Sequence, residues 1–397
     1  DELLSRIAEL LRKLIDYQMF SILLVDPAGE KLQHRFSLRF NENVHMKGVI
    51  ALGKGLVGYA AETRQAVLVP DVSKDPRYIE GNPETRSELA VPLIYKDKVI
   101  GVLDLEHTRR GFFTDDHRRT MVTLAAQVAI AIENARLYEE IARQERRLER
   151  DLALARELQM RLLPQTLPKV KHLELAAKFS PARAIGGDLY DFIPYSLSRL
   201  AIVIGDVSGK GAPAAIYAAL VSGILRSHAP IEPGPAEMLS AVNLSLAERR
   251  IEAQFVSLIY AVWDDEHRTL LVANSGLPRP VLARDGKISA IEATGLPLGL
   301  FDDVSYDEFR FELQPGDVFV LFSDGILDAR NRRGELFGRT RVEKIIAECA
   351  ARSADCVVDS LFKAAGEHSA GVETFDDQTV VAIKVKDHTG SDSLKGK

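Results

Sequence analysis

The first third of the chain alternates short apolar runs with polar turns and is framed by two helical patterns. Leucine and isoleucine recur at helical spacing over residues 3–15, which predicts an amphipathic entry helix. The stretch GKGLVGYAAET from Gly53 predicts a short helix, and Lys96 with Asp97 between two apolar runs predicts a tight hairpin. The predicted strands are residues 20–25, residues 32–37, VLVPDV from Val67, ELAVPLIY and KVIGVLDLEH. This order of elements predicts an α+β unit.

A long helical pattern runs from Asp115 to about Leu163 and ends before Pro164. Its apolar and small residues step by three and four, which is the spacing of a coiled-coil seam. Two successive steps of three around Tyr138 form a stammer, which locally overwinds a coiled coil. The seam residues are Met121, Leu124, Val128, Ala131, Ala135, Tyr138, Ile141, Leu148, Ala155 and Leu162. We favour a dimeric signalling helix, and one helix that packs on two different domains remains the alternative.

After Pro168 the pattern changes to strands that are joined by glycine-rich, acidic turns. A single aspartate after a strand is usually a turn former. Here, however, four separate acidic motifs each lie at the end of an apolar strand, which favours a metal site. The motifs are AIGGDLYDF with Asp188, RLAIVIGDVSGKG with Asp206, GDVFVLFSDG with Asp324, and VETFDDQTVVAIKV with Asp376 and Asp377.

The chemistry of these motifs points to phosphate-ester hydrolysis. Mg²⁺ and Mn²⁺ prefer oxygen ligands and keep several waters, so carboxylates from separate strands suit them. Two such ions about 4 Å apart can share a bridging water, lower its pKa and present it in line with a phosphoryl group. No covalent enzyme intermediate is needed. Neighbouring glycines let the backbone come close to the ions.

Three rival interpretations of these motifs fail on spacing or composition. GDVSGKG has three residues between Gly205 and Gly209 and Gly211 after Lys210, whereas a Walker loop needs four residues and a following Ser or Thr. GGD also opens the diguanylate cyclase signature, but Leu189 and Tyr190 replace the expected acidic and aromatic pair. The boxes of a histidine kinase are missing from the sequence.

Composition and charge narrow the class of protein further. The length of 397 residues predicts two or three domains. A net charge of −6 argues against a nucleic-acid partner, and the arginines of residues 143–161 alternate with acids as in a solvated, ion-paired helix. No apolar run approaches the roughly 20 residues of a membrane span. Cys349 and Cys356 are too few for a disulfide framework, which favours a reducing, cytoplasmic compartment.

Residues 1 to about 140 resemble a GAF domain. The resemblance rests on GKGLVGYAAETRQ with VLVPDV, on SELAVPLIYKDKVIGVLDLEH and on FFTDDHRRTMVTLAAQVAIAIENARLYEE. It implies a sensory domain that binds a small molecule or pairs with a second copy. A cyclic-nucleotide signature and a cysteine for a bilin are both missing from this region. His34, His45 and His107 could ligate haem or a metal, although isolated histidines are more often structural.

Residues 152–386 resemble the PPM family of protein phosphatases, related to protein phosphatase 2C, and within it the bacterial group of stage II sporulation protein E and RsbU. The motifs PARAIGGDLYDF, GDVSGKGAPAA, LQPGDVFVLFSDGILDA and DDQTVVAIKV keep both order and spacing. The resemblance implies two packed antiparallel sheets flanked by helices. It also implies two Mn²⁺ or Mg²⁺ ions; the implied ligands are Asp188, Asp206, Asp324, Asp376 and the Val207 carbonyl, with Asp377 beside them. Which of Asp376 and Asp377 binds directly stays open.

Two positions bear on how catalysis would work. The family often has histidine after its Asn, small residue, Gly motif, and this chain has Leu277, so a general acid from that position is excluded. Arg183 lies five residues before Asp188, where it could grip a substrate phosphate.

The sequence therefore predicts a metal-dependent serine/threonine phosphatase regulated by a GAF domain. By resemblance, its substrate would be an anti-sigma-factor antagonist of the STAS type, and the GAF domain and linker helix would form a homodimer. The alternative is a catalytically silent scaffold that sequesters a regulator. We expect a GAF domain at 1–114, a linker helix at 115–163, a phosphatase domain at 164–387 and a disordered tail at 388–397.

Overall fold

A computed structural model of the chain describes residues 2–40, 42–46, 48–249, 251 and 254–386. The chain divides into two compact units, residues 1–147 and 148–397, and the division falls inside the long helix. The domain boundaries expected at 114 and 163 stay predictions. The tail expected at 388–397 lies outside the described residues.

Unit 1 is built on one antiparallel sheet. Its elements are α1 (Glu2–Arg12), β1 (Met19–Val25), β2 (Lys31–Arg39), β3 (Glu42–Asn43), β4 (Val49–Ala51), α2 (Gly55–Thr63), β5 (Val67–Val69), a 3₁₀ turn (Val72–Lys74), β6 (Ser87–Tyr95), β7 (Lys98–His107) and the first part of α3 (Asp115–Leu162). The strand order is β3-β2-β1-β7-β6-β5, with β4 also paired to β2. The predicted hairpin is confirmed: Tyr95 pairs with Lys98, and Lys96 and Asp97 between them both have positive φ.

The two faces of this sheet differ because successive strand residues point to opposite sides. On one face, Leu103 and Leu105 pack with the apolar residues of α1 and α3. On the other face, Val102 and Ala90 pack with Leu56 of α2. Residues 88, 104 and 106 therefore lie on the α2 face of the sheet.

The long helix is a single continuous element, α3, of 48 residues. It begins at Asp115 as predicted and ends at Leu162, just before Pro164. The seam residues Tyr138, Ile141 and Leu148 are exposed in the single chain. The coiled coil itself stays a prediction.

Unit 2 continues from the end of α3 with two five-stranded antiparallel sheets and five α-helices. Its further elements are β8 (Leu173–Ser180), β9 (Leu189–Pro194), β10 (Arg199–Val207), α4 (Ala212–His228), a 3₁₀ turn (Ala229–Ile231), α5 (Pro235–Ala247), β11 (Val256–Asp264), β12 (Thr269–Asn274), β13 (Val281–Arg284), β14 (Lys287–Ala290), β15 (Phe309–Glu312), β16 (Val318–Phe322), α6 (Asp324–Leu327), α7 (Arg339–Cys349), α8 (Ala354–His368) and β17 (Gln378–Val385). The sheet orders are β15-β12-β11-β10-β9 and β14-β13-β16-β17-β8.

The two sheets pack face to face, and helices cover both outer faces. Ile202 and Ile259 of the first sheet share a buried core with Phe319 and Val381 of the second. Helices α4 and α5 pack on the outer face of the first sheet, and α7 and α8 on that of the second. This arrangement confirms the predicted sandwich of two antiparallel sheets flanked by helices.

One helical stretch of unit 2 has the length and the apolar composition of a membrane span. Among the described residues, Ala212–Ile231 is the one helical segment that is long and apolar enough to cross a membrane by length and composition, contrary to the expectation that no apolar run comes close to this length. Its residues Tyr217, Val221 and Leu225 are buried against the first sheet of unit 2. This packing is that of a core helix, which needs an apolar face.

Candidate active site

The predicted acidic residues meet at one end of the sandwich of unit 2. Asp188 directly precedes β9 and Asp206 is the penultimate residue of β10, its neighbour in the first sheet. Asp324 begins α6 just after β16, and Asp376 with Asp377 precedes β17, which pairs with β16 in the second sheet. Each sheet therefore supplies two adjacent strand ends, and side-chain contacts described next join the two pairs.

Asp188 is the most deeply buried of these carboxylates, with 2% of its surface exposed. Thr379 Oγ1 of the second sheet donates a hydrogen bond of 2.6 Å to Asp188 Oδ2 of the first. Burial, and then the nearby charge of Asp206, raises the pKa of Asp188 well above its usual range. A buried, ionised carboxylate between the two sheets is therefore unfavourable for folding.

Burial and a nearby negative charge also raise the pKa of Asp206 and of Asp324. Burial, followed by the charge of Asp324, raises the pKa of Asp206 to about 7. Burial, followed by the charge of Asp376, raises the pKa of Asp324. The charge of Asp324 thus opposes the ionisation of Asp206, and the charge of Asp376 opposes that of Asp324.

A single lysine pairs with this cluster in the described part of the chain. Lys210 Nζ lies 3.3 Å from Asp376 Oδ2, donates to the carbonyl oxygen of Phe375 and stacks over the Phe375 ring. One ammonium at the rim does not balance four or five clustered carboxylates. The charge and the oxygen donors therefore suit added divalent cations. Among the described residues, however, no three Asp, Glu, His or Cys side chains already converge as metal ligands, so the ions would have to draw them together.

Asp376 and Asp377, which the sequence could not tell apart, have different surroundings. Both carboxylate oxygens of Asp377 accept backbone N–H groups, one from Ala182 at 2.7 Å and one from Gly187. The Asp377 carboxylate thus holds in place the loop that carries Asp188. Asp376 makes its side-chain contacts with Lys210 and with the N–H of Asp377.

Glycines at this end of the sandwich are required by close approach of the backbone. A Cβ on Gly187 would lie 2.9 Å from the carbonyl oxygen of Val207, and one on Gly325 would lie 1.9 Å from that of Asp377. Both distances are too short for any side chain. The glycines of GGD and SDG therefore set the spacing between the loops of the site.

Gln159 is a residue of the site that the sequence analysis missed. It lies near the end of α3, is buried, and donates from Nε2 to the Gly186 carbonyl oxygen at 2.5 Å. In return, the Gly186 N–H donates to Gln159 Oε1 at 3.1 Å. The last turns of the long helix are thus fastened to the loop before Asp188. No local pattern in the sequence marks Gln159, because its burial depends on the loop that packs against the helix.

The other predicted residues fall in separate places. Arg183 is exposed on the loop that leads to Asp188. Leu277 is buried in the core between the sheets, and its loop is closed by two-way hydrogen bonds with Asn274. In unit 1, His107 is buried and stacks on Phe112, and His45 is exposed. His34 lies against a cavity that is described below.

Family models match both units of the chain. The GAF domain model matches residues 1–133, and the model of stage II sporulation protein E (SpoIIE) matches residues 196–386. The chain therefore joins a GAF domain to a SpoIIE-type domain. Both resemblances that the sequence motifs suggested are confirmed.

Individual relatives agree with this architecture. The phosphoserine phosphatase RsbU of Bacillus subtilis is 29% identical over 214 residues, which cover 53% of this chain and 63% of RsbU. The SiaA-PP2C domain of Pseudomonas aeruginosa superposes with a TM-score of 0.56 at 21% identity and covers 62% of this chain and 100% of that domain. It shows that the fold is shared. The chain spans less than two thirds of the length of RsbU.

The GAF region also has a local relative of another kind. The free methionine-R-sulfoxide reductase of Saccharomyces cerevisiae is 46% identical over 59 residues, which are 15% of this chain and 33% of the reductase. Reduction of a sulfoxide needs an electron donor, and among side chains cysteine is the one suited to that task. Both cysteines of this chain, Cys349 and Cys356, belong to unit 2. The match covers a short segment of the chain and one third of the reductase.

Proposed function

We propose that this chain is a metal-dependent phosphatase that removes phosphate from serine or threonine of a protein and is regulated by its GAF domain. The observation that carries the proposal is the meeting of four acidic strand ends at one end of the sandwich. Burial and neighbouring carboxylates raise the pKa of Asp188, Asp206 and Asp324, which lowers stability, and bound cations would offset this cost.

Asp188, Asp206, Asp324, Asp376 and the Val207 carbonyl would hold the ions, Mn²⁺ or Mg²⁺. When bound, such ions supply an activated water and neutralise charge on the phosphoryl group. Asp377 would act on the loop: its two backbone hydrogen bonds position the segment that ends in Asp188. Thr379 would fix the orientation of Asp188 across the sheets. Lys210 would release Asp376 when a cation replaces its ammonium.

Arg183 is our candidate for the substrate phosphate. It is exposed on the same loop as Asp188, and a guanidinium binds phosphate oxygens through charge-assisted hydrogen bonds. The name of RsbU, a phosphoserine phosphatase, supports a phosphoprotein substrate. We propose an anti-sigma-factor antagonist of the STAS type in a partner-switching pathway, with the protein located in the cytoplasm.

The GAF domain would act through α3. Its seam residues Tyr138 and Leu148 are exposed, as the proposed homodimer requires, and Gln159 is fastened to the loop before Asp188. A change in the register of the helix would thus move the loop before Asp188.

The proposal is tested by hydrolysis of p-nitrophenyl phosphate and of a phosphoserine peptide with and without Mn²⁺. We expect Mn²⁺-dependent turnover that falls by at least about a hundredfold in Asp206→Asn and Asp324→Asn, since each removes an oxygen ligand. Asp285→Asn is the matched control, because Asp285 lies in the β13–β14 turn, at the other end of the second sheet. Its φ of 49° suits asparagine equally well.

Two results would count against the proposal. If the wild-type chain hydrolyses neither substrate with Mn²⁺ or Mg²⁺, the silent scaffold becomes the better interpretation. If Asp285→Asn loses as much activity as Asp324→Asn, the acidic strand ends have no special role.

A further inference from the structure

Unit 1 contains a cavity between its sheet and α2. Its volume is about 140 Å³. Its lining includes an acidic wall, made of Glu88, Asp104 and Glu106, and an apolar wall, made of Ile50, Leu56 and Ile79. The volume is below the roughly 300 Å³ at which sites for drug-sized ligands begin, so the space suits a small molecule.

The acidic wall is an unfavourable arrangement for the protein on its own. Glu88 on β6 lies directly opposite Glu106 on β7, and Asp104 is two residues from Glu106 on the same face. Glu88 is only 5% exposed and Asp104 only 7%. Burial raises the pKa of both well above their usual range, with the charges of Asp104 on Glu88 and of Glu106 on Asp104 as the next causes. Like charges on opposite strands destabilise a sheet.

Within the described residues these acids find few donors: Glu88 and Asp104 hydrogen-bond to each other, and Arg39 acts on Glu106 only through its charge. Thr85 Oγ1 donates to Glu106 Oε2, and no lysine, arginine or histidine among the described residues forms an ion pair with any of the three acids. Asp104 Oδ1 is buried with no hydrogen-bond partner. An unpaired buried acceptor is unfavourable, so its position beside a cavity points to a partner that enters from outside.

We propose that this cavity binds a small organic molecule through a primary ammonium group held by Glu88, Asp104 and Glu106. An ammonium carries a positive charge and three N–H donors, which match three acceptor side chains on one wall. The apolar wall would hold a short alkyl chain. The proposal concerns binding to unit 1 and does not depend on the phosphatase proposal.

The part of the cavity next to the start of α2 distinguishes two classes of ligand that carry an ammonium group. Lys54 and Gly55 line it where α2 begins, and that helix has no side-chain cap on its first turn. Free N–H groups at a helix start favour a carboxylate. An α-amino acid could therefore use both ends of the cavity, whereas a simple alkylamine would use only the acidic wall.

Isothermal titration calorimetry on the full chain tests the proposal with three small probes that share a butyl chain. These are n-butylamine, L-norleucine and the neutral N-butylacetamide. We expect saturable binding of an ammonium compound and none of the amide. Norleucine that binds at least about tenfold more tightly than n-butylamine would identify the amino acid as the better source.

Variants locate the binding. Glu88→Gln and Asp104→Asn should each weaken binding by about tenfold or more, since each removes a charged acceptor of the ammonium. Asp116→Asn is the matched control, because Asp116 is 82% exposed near the start of α3 and does not line the cavity. Thermal unfolding without ligand shows whether the variants fold, and Glu106→Gln replaces any variant that does not.

Three results would overturn the inference. They are no binding of either ammonium probe to the wild-type chain, equal binding of the neutral amide, and unchanged affinity in folded carboxylate variants. Phosphatase activity is not read in any of these measurements, so failure here and failure of the proposed function are distinguishable.

Discussion

Both units of this chain gather carboxylates, but they do so in different architectures. In unit 2 the acids lie at or just beyond the ends of four strands in two sheets, and close backbone contacts at Gly187 and Gly325 bring these segments together. In unit 1, Glu88, Asp104 and Glu106 come from two neighbouring strands of one sheet and face a small cavity.

This difference predicts the kind of cation each cluster would accept. Loops at the rim of a sandwich leave room for water, which hydrated divalent ions retain. A small cavity with an apolar wall favours a cation that brings its own alkyl chain. In each case the mutual repulsion of the acids is a cost to folding that a ligand would reverse.

Metal linkage gives the largest expected effect and tests that cost in unit 2. In EDTA, Asp206→Asn should unfold at a higher temperature than the wild-type chain, because it removes one of several like charges. With Mn²⁺ at about a hundred times its Kd, the wild type should gain about 2.7 kcal/mol and the variant much less. Differential scanning calorimetry measures both. Equal stabilisation by Mn²⁺ would mean that Asp206 is not a ligand.

Glycine substitutions come next and ask whether close backbone approach sets the site in unit 2. Gly325→Ala places a Cβ 1.9 Å from the Asp377 carbonyl oxygen and should cost at least about 2 kcal/mol of folding free energy. Gly366→Ala is the control, because a Cβ at this position in α8 meets nothing within 4 Å. It should stabilise the helix by up to about 1 kcal/mol. Urea unfolding compares the two, and similar values would refute the packing argument.

A smaller effect is expected from Gln159, which joins α3 to the acidic cluster of unit 2. Gln159→Leu removes both hydrogen bonds to Gly186 and should lower Mn²⁺-dependent turnover by about tenfold, with weaker Mn²⁺ affinity. Gln165→Leu is the control, since Gln165 donates only to the carbonyls of Met160 and Leu163. If both variants keep wild-type kinetics and metal affinity, the end of α3 does not position the site.

The acidic cluster of unit 2 could be predicted from the sequence, and that of unit 1 could not. Asp206 and Asp324 follow long apolar strands and lie next to glycine, so their position at strand ends is visible in the sequence. Glu88 and Asp104 lie inside apolar runs, where an acid looks like an ordinary outward-facing residue. Only the register of β6 against β7, and the cover of that face by α2, shows that they are buried together.

The same reasoning explains the other partial successes. The hairpin at Lys96 and Asp97 and the long helix depend on local signals, and the sequence predicts them well. The choice between Asp376 and Asp377 depends on which one accepts the N–H groups of residues nearly two hundred positions away, at Ala182 and Gly187. Gln159 is missed for the same reason, because its partner Gly186 is distant in sequence.

The smallest expected effect concerns pH and the cluster of unit 1. Because burial raises the pKa of Glu88, the folded chain binds more protons than the unfolded chain above pH about 4. The stability of unit 1 should therefore fall as the pH rises, and Glu88→Gln should flatten this fall. Hydrogen exchange of the β6 and β7 amides between about pH 5 and 8 isolates unit 1 from the titrating acids of unit 2. After correction for intrinsic exchange rates, the variant's curve should diverge upward from that of the wild type. Asp116→Asn, whose carboxylate is exposed, should follow the wild type. Parallel curves for Glu88→Gln and the wild type would show that Glu88 is ionised in the folded chain, which would require a cationic partner within the protein itself.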